Sequence, residues 1–184
     1  MNAVDTDFEE TPLHVACEFG HLSTTKVLLE HGGSVAAVNK YLWSPLHLAA
    51  RYGHRDILVW TLEHHHHQID INMQDFQGWS ILHTVAMNGR SSCCSVILQF
   101  QPNIELKEHT GGTALQMACQ SGDKQTVRVL LENGAETSFD NAGNTALHRA
   151  TEFKHPDVVE LLVLGYHWNV NTVSTLIFNF VSLF

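Results

Sequence analysis

One short segment recurs five times along this chain of 184 residues, and its regular spacing limits the folds that the chain can adopt. The copies begin at positions 11, 44, 80, 113 and 145, so successive copies are 33, 36, 33 and 32 residues apart. They read Thr-Pro-Leu-His-Val-Ala-Cys, Ser-Pro-Leu-His-Leu-Ala-Ala, Ser-Ile-Leu-His-Thr-Val-Ala, Thr-Ala-Leu-Gln-Met-Ala-Cys and Thr-Ala-Leu-His-Arg-Ala-Thr. A period of this length predicts stacked small units, because one such unit cannot bury its apolar face alone.

Each copy predicts two helices joined by a turn. The opening Thr or Ser can cap the free N–H groups of a first helix, and Pro12 and Pro45 follow where a missing N–H costs nothing. A glycine then favours a left-handed helix end in four units; Lys154 takes its place in the fifth, which predicts a less well-formed end there. Apolar runs such as 27–29 and 129–131 predict the buried side of a second helix.

On this motif and period the chain resembles the ankyrin repeat family, whose signature is T-P-L-H-x-A with a period of about 33 residues. The resemblance covers roughly residues 2–171. It implies an all-α repeat solenoid, in which stacked ankyrin helix-turn-helix units carry β-hairpin fingers. We expect an array over residues 1–171, with repeats at about 11–43, 44–79, 80–112, 113–144 and 145–171. Residues 172–184 are an apolar tail that does not match the repeat.

The charge balance argues against nucleic acid as a partner. The formal net charge is −9, with only 10 Lys and Arg residues, whereas a phosphate backbone calls for a basic stripe. No signal peptide is visible at the start, and no apolar run reaches the roughly 18 residues that span a bilayer. We therefore expect a cytoplasmic or nuclear protein that contacts neither nucleic acid nor membrane.

The sequence predicts neither catalysis nor a cofactor. It has no Ser–His–Asp order, no glycine-rich phosphate loop and no H-E-x-x-H zinc motif. Equivalent histidines in stacked units lie about 8–10 Å apart, too far to share a zinc ion at nitrogen distances of about 2 Å. We therefore interpret the motif histidines as structural and predict no metal site at them: His14, His47, His83 and His148.

Two local features carry alternative interpretations. The tract His64–His67 lies near the end of a second helix, where its unit has extra residues. We favour a solvated insertion, with weak metal binding or a pH response as the alternative, because free imidazole titrates near pH 6.5. Cys93 and Cys94 begin a helix, which can lower a thiol pKa, but we favour inert packing, as for Cys17 and Cys119.

By resemblance, ankyrin arrays bind other proteins through their finger tips and the inner face of their first helices. The matching positions carry large side chains in units one to three and small polar ones in units four and five, apart from Phe153. Aromatic residues and Arg are enriched in binding hot spots. We therefore predict a partner-binding surface made of Phe8, Phe19, Tyr41, Trp43, Arg51, Tyr52, Phe76, Trp79 and Met87.

Within that surface we expect five rings to form one apolar ridge beside an acidic patch from unit one: Tyr41, Trp43, Tyr52, Phe76 and Trp79. The alternative is that some of these rings only pack between fingers. The predicted partner is an apolar or aromatic segment of another protein with flanking Lys or Arg, which would make the chain a scaffold or adaptor.

Three further possibilities stay open. By resemblance, Asn72 in Asp70-Ile71-Asn72 matches a finger position that is hydroxylated in ankyrin repeats, so it is a possible modification site. The chain could also be the recognition fragment of a larger ankyrin-containing enzyme or channel. The third possibility is a binder that responds to metal or pH through its histidine tract.

Overall fold

The computed structural model describes residues 7–171, in which ten α-helices pack as five helix pairs, here called units one to five. The first helices are α1 (Pro12–Glu18), α3 (Pro45–Tyr52), α5 (Ile81–Met87), α7 (Ala114–Ser121) and α9 (Ala146–Glu152). The second helices are α2 (Leu22–Glu30), α4 (Arg55–His65), α6 (Ser91–Leu98), α8 (Lys124–Glu132) and α10 (Pro156–Glu160). A 3-10 turn, His66–Gln68, follows α4, and a π-helical turn, Leu161–Gly165, follows α10.

The units stack in chain order, with first helices against first helices and second against second. This confirms the predicted all-α repeat solenoid. The predicted apolar tail, residues 172–184, lies outside the described residues.

A continuous apolar core runs between the two layers of helices. Its largest fully buried side chains include Leu46, Ile57, Leu58, Leu62, Ile81, Leu82, Ile97, Leu115, Leu130 and Leu162. One apolar run is only partly buried, as Leu29 is in the core whereas Val27 is 54% exposed. Successive helical residues point about 100° apart, so a run of three cannot face one side.

The polar residue that opens each motif begins the first helix, as predicted. In unit two, Ser44 Oγ accepts from the N–H of His47 at 3.4 Å, and the N–H of Ser44 donates to His47 Nδ1 at 3.2 Å. The second of these bonds recurs in every unit at 2.9–3.2 Å. Gln116 provides the acceptor in unit four through its side-chain oxygen. The motif therefore needs a hydrogen-bond acceptor three residues after the cap, and either an imidazole nitrogen or an amide oxygen can fill this role.

The glycine that follows the first helix in units one to four also leaves room for the next unit. Gly20 has φ +73°, and a Cβ added there would lie 2.6 Å from the His54 ring of unit two. In unit five, Lys154 adopts φ +61°, so the same turn forms without glycine. The prediction of a poorly formed end is thus wrong; a non-glycine residue accepts the left-handed conformation there at a cost of about 1 kcal/mol.

The segments between units are tight turns with less strand than the predicted β-hairpin fingers. Within residues 7–171, β pairing is limited to one isolated antiparallel bridge between Lys107 and Thr113. In the turn before unit three, Asp75 Oδ1 accepts from the N–H groups of Gln77 and Trp79, both at 2.8 Å. Because a side chain satisfies these amides, the turn keeps its shape without a strand ladder.

Candidate functional site

Four aromatic side chains lie side by side at the turns that precede units one to three. Ring centroids are 6.5 Å apart for Phe8 and Tyr41 and 5.8 Å apart for Tyr41 and Phe76, and these three rings are at least 37% exposed. Trp43 joins them with its centroid 5.9 Å from that of Tyr41. These separations fall within the range of favourable ring pairs. We call these four residues the aromatic row; it forms one continuous apolar edge.

Backbone bonds between successive turn tips hold the row in place. The N–H of Lys40 donates to the carbonyl of Phe8 at 3.1 Å, and that of Phe76 donates to Tyr41 at 3.2 Å. The same bonds continue to His109 and Asn141, at 3.2 and 2.9 Å. Turn tips are thus equally well connected along the stack, but among residues 7–171 Phe or Tyr occupies the tip only before units one to three.

Lys40 lies across the exposed end of the row. Its Nζ is 4.1 Å from the Phe8 ring centroid and 5.2 Å from that of Tyr41, and it donates to the Asp7 carbonyl at 2.6 Å. A cation at this distance is attracted to the ring faces. The lysine therefore steadies the two rings in the conformation that a partner would meet.

Trp43 has a structural role as well as an exposed face. Its indole Nε1 donates to Asp75 Oδ2 at 2.7 Å, and Asp75 is buried. The guanidinium carbon of Arg51 lies 4.9 Å from the ring centroid. Trp43 is thus fixed by a buried carboxylate and covered in part by a cation.

A groove opens beside the row on the inner face of the first helices. One cavity of 230 Å³ is lined by Trp43, Arg51, Gln77, Trp79 and Met87, among others. A second, of 530 Å³, shares Gln77 and Trp79 and extends to His109, Met117 and Gln120. We call the two cavities together the inner groove. The structure places the predicted surface residues Arg51, Trp79 and Met87 here.

The two other predicted rings lie at the C-terminal ends of first helices. Phe19 is 62% exposed and stacks on His21, with centroids 6.2 Å apart. Tyr52 stacks on His54 at 6.4 Å. The expected five-ring ridge is therefore divided: Tyr52 lies at a helix end and Trp79 in the inner groove, while the other three belong to the aromatic row.

The motif histidines of units one and two each bond to the next unit, which agrees with a structural role, whereas the buried Nε2 of His83 has no hydrogen-bond partner. Because a backbone N–H donates to Nδ1, the rings of His14 and His47 are neutral and carry their proton on Nε2. That nitrogen donates to the carbonyl of Trp43 at 2.9 Å or of Trp79 at 3.3 Å. Burial lowers the pKa of His14, and it lowers the pKa of His47 to about 4. Charging His47 would place a proton on Nδ1 and so break the bond that Nδ1 accepts from the Ser44 N–H.

Sequence reasoning missed two periodic positions that position the site. The first is the buried acceptor five residues before the cap of units two to five, which satisfies turn N–H groups: Asn39, Asp75, Glu108 and Asp140. The second is the donor that follows the first helix and bonds to a carbonyl of the preceding unit: His54 to Glu18 at 2.8 Å, Arg90 to Arg51 at 3.3 Å and His155 to Gln120 at 3.0 Å. Their recurrence at the motif period was the available signal.

The histidine tract does not continue the helix through its whole length. α4 ends at His65 and a 3-10 turn follows, so His64 and His67 do not share one face of an α-helix. The His64 ring stacks on Trp60 with centroids 4.7 Å apart. In the part of the chain that the structure describes, no group of three or more His, Cys, Asp or Glu is arranged to hold a metal ion.

The cysteines are buried side chains in the core. Burial raises the pKa of Cys17 and Cys94 to about 12 and also raises the pKa of Cys93 and Cys119. A helix start that could lower a thiol pKa is thus outweighed by desolvation at Cys93 and Cys94. These findings agree with inert packing.

Asn72 lies in a turn contact between units. Its Oδ1 accepts from the N–H of Asn103 at 2.7 Å, and its own N–H donates to Asp70 Oδ1 at 2.9 Å. Hydroxylation of Asn72 stays a prediction; a peptide mass that lacks an added oxygen in protein isolated from cells would contradict it.

Comparison with known proteins identifies the repeats. A family model described as ankyrin repeats (3 copies) matches residues 1–75, 59–138 and 82–172. The chain is 30% identical to the Transient receptor potential cation channel subfamily A member 1 homolog of Caenorhabditis elegans, over 89% of this chain and 13% of that protein. The human Transient receptor potential cation channel subfamily A member 1 is 34% identical, over 71% of this chain and 15% of its own length.

Another relative is the Palmitoyltransferase AKR1 of Lachancea kluyveri, which is 27% identical over 72% of this chain and 19% of its own length. The chain thus spans less than a fifth of each of these three relatives. Among residues 7–171, no helix combines the length and the apolar character that crossing a bilayer requires.

Proposed function

The chain belongs to the ankyrin repeat family, and from that premise we propose that it binds another protein through the aromatic row and the inner groove. Ankyrin repeats are generally protein-interaction modules, and stacked units offer an extended concave surface for binding. The observation that carries the proposal is the aromatic row, whose four rings lie side by side on a bonded series of turn tips.

The contrast along the stack supports a binding role for these rings. A turn tip facing water needs no aromatic side chain, as His109 and Asn141 form the same backbone bonds without one. Contiguous exposed rings are a common feature of contact sites, because aromatic residues supply much of the energy of interfaces.

We propose that the bound segment is apolar or aromatic and carries flanking Lys or Arg. Glu9 follows Phe8 in the turn before unit one, and Glu18 is the last residue of the first helix of that unit. The chain as a whole carries a formal charge of −9. A basic flank would meet complementary charge here, which raises the rate and selectivity of association more than the final affinity.

Two double variants test the proposal. Tyr41→Ala with Phe76→Ala removes two exposed rings of the row, and Phe139→Ala with Phe153→Ala removes two rings of similar exposure (44% and 42%) near units four and five. Trp43 is left intact, because its bond to Asp75 would confuse binding with stability. Circular dichroism melting checks that both variants stay folded.

Each tagged protein is used to capture partners from a cell lysate, and the identified partner's dissociation constant is then measured. The first variant should bind at least a hundredfold more weakly, since hot-spot rings contribute about 2 kcal/mol or more each. The second should bind like the wild type. Equal affinities for the two variants would contradict the proposal.

A second candidate function is recognition within a larger protein. It is supported by the relatives, in which the matching segment makes up less than a fifth of the protein, and which are named as channels or a palmitoyltransferase. Full-length transcript sequencing tests it: further coding sequence joined in frame to this chain is expected, and transcripts that encode only these 184 residues would contradict it.

We place the protein in the cytoplasm or nucleus. Its four cysteines are unpaired thiols, which suits a reducing compartment. Fluorescence microscopy of the tagged chain should show signal there, and accumulation in a secretory compartment would contradict this placement.

A further inference from the structure

Two arginines on the inner face of the first helices differ in their partners. Arg149 Nη2 lies 2.6 Å from Asp140 Oδ2, and its Nη1 lies 3.8 Å from Glu152 Oε2. Arg51 has no carboxylate within ion-pair distance among residues 7–171. Its guanidinium instead lies over the Trp43 ring. Arg149 is thus neutralised within the chain, whereas the charge of Arg51 is available to a ligand.

The difference between the two arginines follows from the hydrogen bonds that two buried turn residues, Asp75 and Asp140, accept. Asp75 Oδ1 accepts two backbone N–H groups, and its Oδ2 accepts the Trp43 indole. At the equivalent position before unit five, Asp140 Oδ2 accepts from Arg149 instead. The Trp43 indole thus uses the carboxylate oxygen of Asp75 that corresponds to the one paired with Arg149 in unit five. Arg51 is therefore left without a carboxylate partner and stacks on the face of the Trp43 ring instead. A stacked guanidinium keeps its planar donors free for a carboxylate.

A cavity with both apolar and polar walls adjoins this arginine. The 230 Å³ cavity has three large apolar side chains, Trp43, Trp79 and Met87, and its polar lining residues are Arg51, His47, Asp75, Gln77, Thr84 and Asn88. Its volume is below the roughly 300–1,000 Å³ of small-molecule sites, so it suits one large side chain of a protein partner. It shares two lining residues, Gln77 and Trp79, with the second cavity, so the two cavities are neighbours in the inner groove. A bound chain can therefore continue beyond it, which favours an internal segment over a chain terminus.

We propose that the inner groove binds an internal segment of a partner in which a large apolar residue lies within about two positions of an Asp or Glu. The apolar side chain enters the cavity between Trp43 and Trp79, and the carboxylate pairs with Arg51. An extended chain advances about 3.3 Å per residue, which sets this short spacing. The inference rests on the proposed function and specifies the partner chemistry at one place on its surface.

The test is selection from a random dodecapeptide phage library against the full chain and its single variants. Arg51→Gln removes the charge, and Arg51→Lys keeps the charge but not the planar donors. Arg55→Gln is the matched control, since Arg55 is another exposed arginine of unit two and is not among the residues lining either cavity. Wild type and the Arg55→Gln variant should enrich peptides that pair an apolar residue with Asp or Glu. The Arg51→Gln variant should keep the apolar preference and lose the acidic one.

One selected peptide is then compared with its Glu→Gln or Asp→Asn form by fluorescence anisotropy. The wild type should bind the acidic form at least tenfold more tightly, as expected for a hydrogen bond to a charged group. The Arg51→Gln variant should bind both forms equally, and Arg51→Lys should lie between. An unchanged acidic preference in the Arg51→Gln variant would overturn the inference, as would a selection that enriches no acidic residue or no peptide.

The outcomes separate this inference from the proposed function. Peptides that lack Asp and Glu but lose binding in the Tyr41→Ala, Phe76→Ala variant would overturn only the acidic site. Peptides whose binding changes with neither the aromatic row nor Arg51 would contradict both.

Discussion

The turns before units two and three and those before units four and five have the same backbone and different surfaces. In each, a buried side chain satisfies the turn amides, and one tip bonds to the next. The earlier turns present Tyr41 and Phe76, whereas the later ones present His109 and Asn141 at their tips. The repeat therefore determines the scaffold, and positions outside the motif determine what the scaffold can bind.

The buried turn acids show the same division in their chemistry. Asp75 fixes Trp43 and so supports the aromatic row, whereas Asp140 neutralises Arg149. Both aspartates accept N–H groups of their own turn. Asp75 in addition positions Trp43 of the proposed binding surface, whereas Asp140 in addition forms an ion pair with Arg149.

The largest expected effect comes from removing these acids. Asp75→Ala and Asp140→Ala should each lower the free energy of unfolding by about 4 kcal/mol, because each leaves several buried donors unsatisfied. Asp75→Ala should also weaken partner binding by the folded protein more than Asp140→Ala does, since it frees Trp43 of the aromatic row, whereas Asp140→Ala frees only Arg149 in the second cavity of the inner groove. Urea unfolding followed by circular dichroism measures stability, and titration with the partner in the absence of urea measures affinity. A loss of affinity in the Asp140→Ala variant as large as that in Asp75→Ala would remove the distinction between the two regions.

The next effect concerns pH, because the motif position is His47 in unit two and Gln116 in unit four. Burial lowers the pKa of His47 from 6.5 to about 4. Between these values the unfolded chain binds a proton that the folded chain does not. His47 therefore contributes stability above pH 6.5 that is lost as the pH falls towards 4, by about 3 kcal/mol.

The variant His47→Gln gives unit two the residue that unit four has at this position, and it removes the group that binds a proton in the unfolded chain. The pH dependence of urea unfolding between pH 6.5 and 4 should become shallower by about one proton, with little change at pH 8 because Gln116 forms equivalent bonds. A slope equal to that of the wild type would show that this histidine does not carry the acid sensitivity.

The smallest effect concerns two lysines that each donate to a carbonyl of a neighbouring turn. Lys40 also lies over the Phe8 and Tyr41 rings, whereas Lys107 donates to the Phe139 carbonyl. Lys40→Met should lower the free energy of unfolding by about 0.5 kcal/mol more than Lys107→Met, which is the usual size of an exposed cation–π contact. Paired urea titrations measure the difference, and equal losses would show that the rings gain nothing from the cation.

Much of the fold could be predicted from the sequence because the motif is local. The two bonds between Ser44 and His47 join residues three apart, and their chemistry permits few alternatives. The substitution of Gln116 for histidine further indicated a structural bond instead of a ligand.

The candidate site was less predictable because its properties depend on contacts between units. Sequence alone identified Trp43 and Trp79 as large rings, but not that Asp75 would bind one of them and leave the other in a groove. Nor could it show that Arg149 would be paired and Arg51 would not, because both occur on first helices with acidic residues near in the chain. Which partner each of these side chains meets depends on the direction in which it points from its helix or turn, and the motif does not specify that direction.

The central claim, that the partner contacts the aromatic row and not the exposed ring before unit five, can be tested by site-specific photo-crosslinking. A benzophenone amino acid is placed at Phe76 in one protein and at Phe139 in another, two positions of comparable exposure at 50% and 44%. Irradiation with the identified partner should give a crosslinked product from position 76 and little or none from position 139. Equal crosslinking from both positions, or crosslinking from position 139 alone, would contradict the account.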